Sequence, residues 1–508
     1  MDPAVVSNIE SLSGFLPEFI LIAGICSLFL IDVFLPGRGK QFYGIAALAF
    51  LAATLVATVQ GMMSLEESRP LFNGLVVLDP FGYFFKLLFL VATTVGILFT
   101  LRSPETGDKG SAEFFALLLG TTVGMFALAT SNDILMLYLS LELVSLTSYV
   151  LTGFRRSNRA SSEAALKYVV YGGAASGAML YGLSILYGLT GATGLPEIRD
   201  ALVAAAAAGQ GLDMAALLGI TFALAGFGYK ISAVPFHMWT PDVYQGAPSP
   251  VTAFFSVGPK AAGFAALTRF FFVAFVDPGS WGNGGMLQVA GMIPWPVIVG
   301  IMAAFTMTVG NVAAVAQTDI KRLLAYSSIA HAGYMLLAFV SVSEQGLEGL
   351  LFYLVVYLLM NFGAWATAIA VTTELGTTEI KAWRGLGYRN PWAAVAMAIF
   401  VFSLTGLPPL AGFIGKFYIF YAVIARGGFW MLALGVLGVL NSVVSLYYYA
   451  YIAKTMFFEQ PEEGASEPLQ LNRLFVGMQW VFAVPTVLLG VYWAPLYEWV
   501  KASVKLLV

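Results

Sequence analysis

The sequence predicts an all-α polytopic membrane protein of about fourteen transmembrane helices, and three observations carry that prediction. Only 10% of the 508 residues are charged and 59% are hydrophobic, whereas soluble domains carry about 25% charged residues. The mean hydropathy is +0.83. Apolar runs of about 20 residues, the length that crosses a bilayer as a helix, recur along the whole chain. So few charges cannot coat a soluble globule of this size, which excludes soluble enzyme architectures.

On the length criterion, spans one to three fall at 16–36, 41–62 and 80–101, separated by loops holding Arg38 and Lys40, and then Arg69. Spans four to eight fall at 113–131, 133–154, 164–190, 213–236 and 248–275. Span six carries Gly173-xxx-Gly177, a small-residue helix-packing motif. The stretch 195–212 is Ala-rich and too short to cross, so it reads as a surface helix between spans six and seven. Spans nine to thirteen fall at 292–316, 322–342, 347–373, 391–425 and 428–457, and span fourteen at 473–498.

Basic residues orient the spans, because cytoplasmic loops are enriched in Lys and Arg. Loops after odd-numbered spans hold Arg38, Lys40, Arg102, Lys109, Arg155, Arg156, Arg159, Lys321, Arg322, Lys381, Arg384, Arg389, Lys454 and Arg473. Loops after even-numbered spans hold Arg69, Arg199 and Arg426, and the C-terminus adds Lys501 and Lys505. The bias places odd-numbered loops in the cytoplasm and both termini on the periplasmic side.

Spans seven and twelve are interrupted. Span seven contains Gly226-Phe-Gly-Tyr-Lys-Ile-Ser-Ala-Val-Pro235, and span twelve contains Thr405-Gly-Leu-Pro-Pro-Leu-Ala-Gly-Phe-Ile-Gly-Lys416. Proline removes one helical hydrogen bond and clashes with the preceding turn, so Pro235 and Pro408 predict helix breaks. At membrane depth the freed carbonyls need a cation or water, and each break carries a lysine within about two turns. The breaks are five spans apart, so a second repeat would run upside-down relative to the first, as in many ion-coupled transporters. The predicted organisation is three N-terminal spans (1–112), a first five-helix repeat (113–275), a second, inverted repeat (276–458), and a loop with a last span (459–508).

Six basic residues lie within spans: Lys86, Lys167, Lys230, Lys260, Arg269 and Lys416. An ionised side chain at the bilayer centre costs at least about 2.5–3.5 kcal/mol, so each needs an offset or a function. Lys230 precedes the first break, Lys260 sits well inside span eight and Lys416 in the second break, which makes them functional candidates. Glu142, in Tyr138-Leu-Ser-Leu-Glu142, is an acid near the middle of span five. At about 10 Å and an effective dielectric near 20, one charge acts on another with roughly 1.7 kcal/mol, enough to load or unload a buried lysine. His331, mid-span ten, has an imidazole suited to proton transfer; its neighbour Tyr334 and His237, just past the first break, are lesser candidates. Lys167 can reach the cytoplasmic face, and Arg269 and Lys86 are expected to snorkel outward. Glu18 and Asp32, near opposite ends of span one, are expected to reach the interfaces.

Other classes are excluded. Cys26 alone permits no intrachain disulfide or Cys-based metal site, and two histidines are too few for a bis-histidine haem series. A net charge of −3 gives no nucleic-acid footprint. The N-terminus lacks the basic region of a cleaved signal peptide. Gly415-Lys416 is not a P-loop, because Leu410 and Phe417 occupy positions that need Gly and Ser/Thr. No haem, flavin, quinone or metal pocket is readable.

Four segments carry a resemblance: Lys230-Ile-Ser-Ala-Val-Pro-Phe-His-Met-Trp-Thr-Pro-Asp-Val-Tyr-Gln-Gly-Ala-Pro-Ser-Pro-Val-Thr-Ala-Phe254, Glu163-Ala-Ala-Leu-Lys-Tyr168, Lys321-Arg-Leu-Leu-Ala-Tyr-Ser-Ser-Ile329 and Gly406-Leu-Pro-Pro-Leu-Ala-Gly-Phe-Ile-Gly-Lys416. In these the chain resembles the subunit N family of bacterial NADH:quinone oxidoreductase (respiratory complex I), and is similar to the plastid and cyanobacterial counterparts of that family. These belong to an antiporter-like group shared with subunits L and M and with multisubunit cation/proton antiporters. The resemblance implies fourteen helices, inverted five-helix repeats, and broken helices seven and twelve. By motif, Glu142 matches the span-five glutamate and Lys230 its lysine partner. Lys167 and Lys260 match the lysines of spans six and eight, and Lys416 matches the exit-side lysine. Subunit M usually has glutamate at that last position, and subunit L has a lateral helix for which no residues remain here.

The resulting expectation is a proton-translocating subunit in the cell inner membrane. Protons enter near broken helix seven, cross Lys230, Lys260 and His331, and leave by Lys416, with Glu142–Lys230 as the switch; the direction of travel comes from the resemblance. FMN, iron–sulfur clusters and quinone are expected in partner subunits and none in this chain. The expected partners are subunits M, K and J, the lipid bilayer and protons, with no nucleic acid. The alternatives are a subunit of a multisubunit sodium/proton antiporter and a non-pumping structural subunit.

Overall fold

The computed structural model describes residues 8–35, 37–209, 213–281, 286–290, 293–461 and 467–506. Pro36 and Met292, at the ends of predicted spans one and nine, lie outside them. So do the last three residues of the predicted surface helix, part of the 459–472 connection and the opening of the N-terminal stretch.

The first part of the chain forms α1 (Asn8–Gly14), α2 (Leu16–Phe34), α3 (Lys40–Met63), a hairpin of β1 (Arg69–Leu71) and β2 (Val76–Leu78), and α4 (Pro80–Arg102). Then come α5 (Ser111–Thr130), α6 (Ile134–Thr152), α7 (Arg159–Thr190), α8 (Leu195–Ala207), α9 (Asp213–Ile231), α10 (Trp239–Gly246) and α11 (Ser249–Ala274). The remainder forms α12 (Trp295–Val315), α13 (Ile320–Val340), α14 (Glu344–Leu375), α15 (Leu386–Arg389), α16 (Pro391–Thr405), α17 (Ala411–Arg426), α18 (Phe429–Phe457), α19 (Arg473–Val491) and α20 (Ala494–Ser503).

Among the described residues, twelve helices are long and apolar enough to cross a membrane. Predicted span eight falls on α11, a 26-residue helix buried along its whole length. Predicted span twelve is split between α16 and α17. Predicted span fourteen is shorter than expected: α19 stops at Val491, and a proline in the first turn of α20 starts a separate helix, the position where proline's missing N–H costs nothing.

Loop contacts sort by parity. On one face Lys40 Nζ donates to the carbonyls of Ser103 and Thr106, Arg155 pairs with Glu105, and Arg384 pairs with Glu459. On the other, Asn132 N bonds Leu75 O, Leu195 N bonds Asn132 O, and Arg426 reaches the carbonyls of Leu287 and Val342. The first face collects the odd-numbered, basic loops.

The centre of the protein is α13 and α14, with 94% and 89% of their most apolar windows buried, against 28% for α2 and α18. Small residues permit this density. A Cβ on Gly310 of α12 would lie 2.5 Å from Ala330 N, and one on Gly333 of α13 would lie 2.5 Å from Met307 N. Gly310→Val should therefore push α12 from α13, at about 1–3 kcal/mol for overpacking. A lower melting temperature of the solubilised assembly is the expected reading, and an unchanged one counts against this close packing.

Candidate functional site

Both proline segments leave helical geometry. α9 ends at Ile231, Ser232 has φ +64°, and α10 begins at Trp239, with Pro235 between. α16 ends at Thr405, Gly406 has φ +92°, and α17 begins at Ala411, with Pro408 between. The freed carbonyls find donors, as an apolar surrounding demands. Thr405 O accepts from Lys416 Nζ at 2.9 Å and from Ser442 Oγ at 3.1 Å. Tyr229 O accepts the Trp239 indole N–H at 3.1 Å.

Lys230, Lys260 and Lys416 are at most 3% exposed. Among the described residues, none has a carboxylate within 4 Å. Lys230 Nζ donates to Ser145 Oγ at 3.1 Å. Ser145 lies three residues after Glu142 on α6, and so on the same face. Glu142 itself is half-buried and accepts from Ser176. Glu142 and Lys230 are thus neighbours separated by a serine rather than an ion pair in contact. The Lys230 stem runs beside Gly263 of α11, where an added Cβ would come within 3.2 Å of it. Gly263 is three residues from Lys260.

From Lys260 the contacts follow α13. Lys260 Nζ donates to Ser328 O at 2.8 Å. One turn on, His331 bonds Tyr353 through Nδ1 at 2.6 Å and Tyr449 through Nε2 at 3.2 Å. Another turn on, the Tyr334 ring lies 4.3 Å beneath Lys416 Nζ, an attraction that offsets part of the ammonium's desolvation. Lys416 also donates to Ser442 Oγ at 2.7 Å. Asn311 donates to Tyr334 OH and accepts from Tyr448. An apolar groove of about 470 Å³, lined by Phe413, Phe417 and Tyr421 among others, runs past Lys416.

Lys167 is outside this row. It is 39% exposed and pairs with Asp242 at 2.6 Å and with Glu163 at 3.0 Å. Burial alone would raise the Asp242 carboxyl, but Lys167 and Arg322 hold it below its ordinary value. His237 is buried beside the first break, and its Nδ1 has no partner among the described residues. Among the described residues, no hydrogen bond joins it to the lysines.

Three expectations are corrected. Lys86 does not snorkel: it is 1% exposed and pairs with Glu18 at 2.7 Å. Glu18 is 0% exposed and so does not reach the interface. Arg269 is also fully buried, with Nη1 and Nη2 each 2.6 Å from an oxygen of Asp79. In each case an opposite charge on a neighbouring element offsets desolvation more closely than headgroup water could. Asp32, half-buried, accepts from Tyr43 at 2.5 Å. The signal is present in the sequence: Asp79 and Glu18 lie on the same side as the two bases. Ser145, Tyr353, Tyr449 and Asp242 escape sequence reasoning, because their roles depend on which helices meet.

Residues 131–442 match the family described as NADH:quinone oxidoreductase/Mrp antiporter, transmembrane. The chain is 46% identical to NADH-quinone oxidoreductase subunit N of Anaeromyxobacter sp. (strain Fw109-5), over 99% of this chain and 98% of that one. It is 47% identical to NADH-quinone oxidoreductase subunit N 2 of Sorangium cellulosum (strain So ce56), over the full length of both. In structure it is similar to a chain of respiratory complex I from Thermus thermophilus with bound aureothin. The TM-score is 0.76 at 31% identity, over 96% of this chain and 99% of that one.

Proposed function

Because the chain belongs to the NADH:quinone oxidoreductase/Mrp antiporter transmembrane family, with subunit N homologues along its full length, we propose that it is a proton-translocating membrane subunit of an NADH:quinone oxidoreductase. One observation carries the reading. Three buried lysines, Lys230 of α9, Lys260 of α11 and Lys416 of α17, none with a carboxylate within 4 Å among the described residues, succeed one another past Gly263 of α11 and Ser328 and Tyr334 of α13, with His331 between the second and third.

Buried charge is expensive unless it is paired or functional, and a row of it at helix breaks suits transfer along a hydrated path. In this reading fourteen spans form three N-terminal helices and two inverted repeats. Protons enter at the basic face, pass Lys230, Lys260 and His331, and leave by Lys416. The Glu142 carboxylate, approaching or leaving Lys230 across Ser145, sets when Lys230 releases its proton. Quinone reduction in partner subunits supplies the energy, with FMN and iron–sulfur clusters held there, and subunits M, K and J as membrane neighbours. The complex sits in a bacterial inner membrane with both termini of this chain outside.

Glu142→Gln and Lys416→Met test this reading in a complex that still assembles. Each should lower the protons moved per NADH oxidised, and unchanged stoichiometry in both would sink the reading. A cation/proton antiporter subunit, also within the family, needs no redox partner. Sodium-driven proton exchange persisting with NADH absent would favour it.

A further inference from the structure

The eight-residue helix α10 is joined to α9 through seven non-helical residues. Its placement therefore depends on side chains from other elements, and these converge on one carboxylate. Asp242 Oδ2 accepts from Lys167 Nζ of α7 at 2.6 Å, and Asp242 Oδ1 accepts from Arg322 Nη1 of α13 at 2.7 Å. Arg322 also reaches Gln245 Oε1 at 3.1 Å, and Gln245 Nε2 donates to Asp319 Oδ2 at 3.2 Å. Lys321 Nζ holds Ala247 O at 2.8 Å.

Beside Asp242 is a cavity of about 150 Å³ whose lining includes Ala160, Glu163, Ala164, Lys167 and Gln245. It has room for several waters at about 30 Å³ each. It belongs to the basic face, where Lys167 and Asp242 are 39% and 33% exposed. Small residues line the α7 side, so the flexible lysine stem has space to move. Glu163, on the same helix, offers Lys167 a second, longer contact at 3.0 Å. The lysine is thus held between an acid of its own helix and an acid of α10, whose other oxygen Arg322 takes.

We propose that Asp242 is a positioning residue that latches Lys167 at the water-filled mouth on the basic face, so that the position of α10 decides whether Lys167 is held or free. The proposal rests on the proton-translocation reading, in which this mouth is where protons are taken up. Arg322 takes the other oxygen of Asp242, while the Gln245–Asp319 and Lys321–Ala247 contacts hold α10 against α13 without it.

The test uses the intact complex in inverted membrane vesicles, which expose the basic face. A water-soluble amine-acylating reagent is added, and modification of Lys167 is followed by peptide mass spectrometry, with exposed Lys381 as internal reference. D242N should raise the rate of Lys167 modification about two- to fivefold, the range a half-exposed ion pair supports, and D242E should restore it. R322Q frees Asp242 for Lys167 alone and should not raise the rate. A D242N rate equal to wild type, or an R322Q rate as high as that of D242N, overturns the proposal; the latter outcome means that α10 has merely loosened. In pumping assays the K167Q/D242N double variant should lose no more than K167Q alone, and additive losses also overturn it. Labelling needs no proton movement, so it stands apart from failure of the pumping reading, which unchanged stoichiometry in Glu142→Gln and Lys416→Met would show.

Discussion

Arg269→Gln should destabilise the subunit by about 3–5 kcal/mol, the cost of removing one partner from a buried ion pair, and should sharply reduce the yield of assembled complex. Arg269 is fully buried and satisfies both oxygens of Asp79, while its Nε donates to Ala129 O at 2.9 Å. Its guanidinium also stands 4.9 Å over the Phe81 ring. Asp79 in turn caps α4, accepting from Gly82 N at 2.8 Å. Glutamine removes the guanidinium that meets both oxygens of this buried carboxylate at the start of α4. The double variant Asp79→Asn with Arg269→Gln removes both charges and keeps a capping side chain, so it should recover much of the loss. Native-gel yield and melting temperature read the result, and wild-type values for R269Q would refute it. Lys86 and Glu18 form the same kind of pair between α4 and α2, where K86M alone should cost more than K86M with E18Q.

These two pairs show where sequence reading stops. Low charge content and apolar run length suffice for the membrane class, and prolines 235 and 408 fall where the helices break, because those effects are local to the chain. Sequence misplaces Lys86 and Arg269 because snorkelling is judged from distance to an interface, whereas burial is decided by an acid on another element. The same logic applies to the site. The lysines are legible as anomalies within apolar runs. Ser145, Tyr353 and Tyr449 are common residue types in ordinary settings, and only helix contacts bring them to Lys230 and His331. Lys167 is legible as a charge within a span, but its pairing with Asp242 requires α10 to fold back against α7.

Lys260→Arg should assemble normally yet lose proton translocation through this chain. Lys260 is the middle of the row, 2% exposed, with Ser328 O as its hydrogen-bond acceptor at 2.8 Å. Arginine keeps the positive charge and can still donate to that carbonyl, but its guanidinium is never deprotonated in proteins. A static role, in which the charge merely organises α11 against α13, is therefore preserved, while a role in passing protons is removed. General acid–base transfer is worth about 10²–10⁴-fold in rate, so transfer through this position should fall by about two orders of magnitude. Lys260→His, which keeps an exchangeable proton, should retain part of it. The readout is protons moved per NADH oxidised in vesicles, set against native-gel yield so that misfolding is seen separately. If K260R assembles and pumps like wild type, Lys260 is a structural charge, and the row between Lys230 and His331 is broken as a proton path.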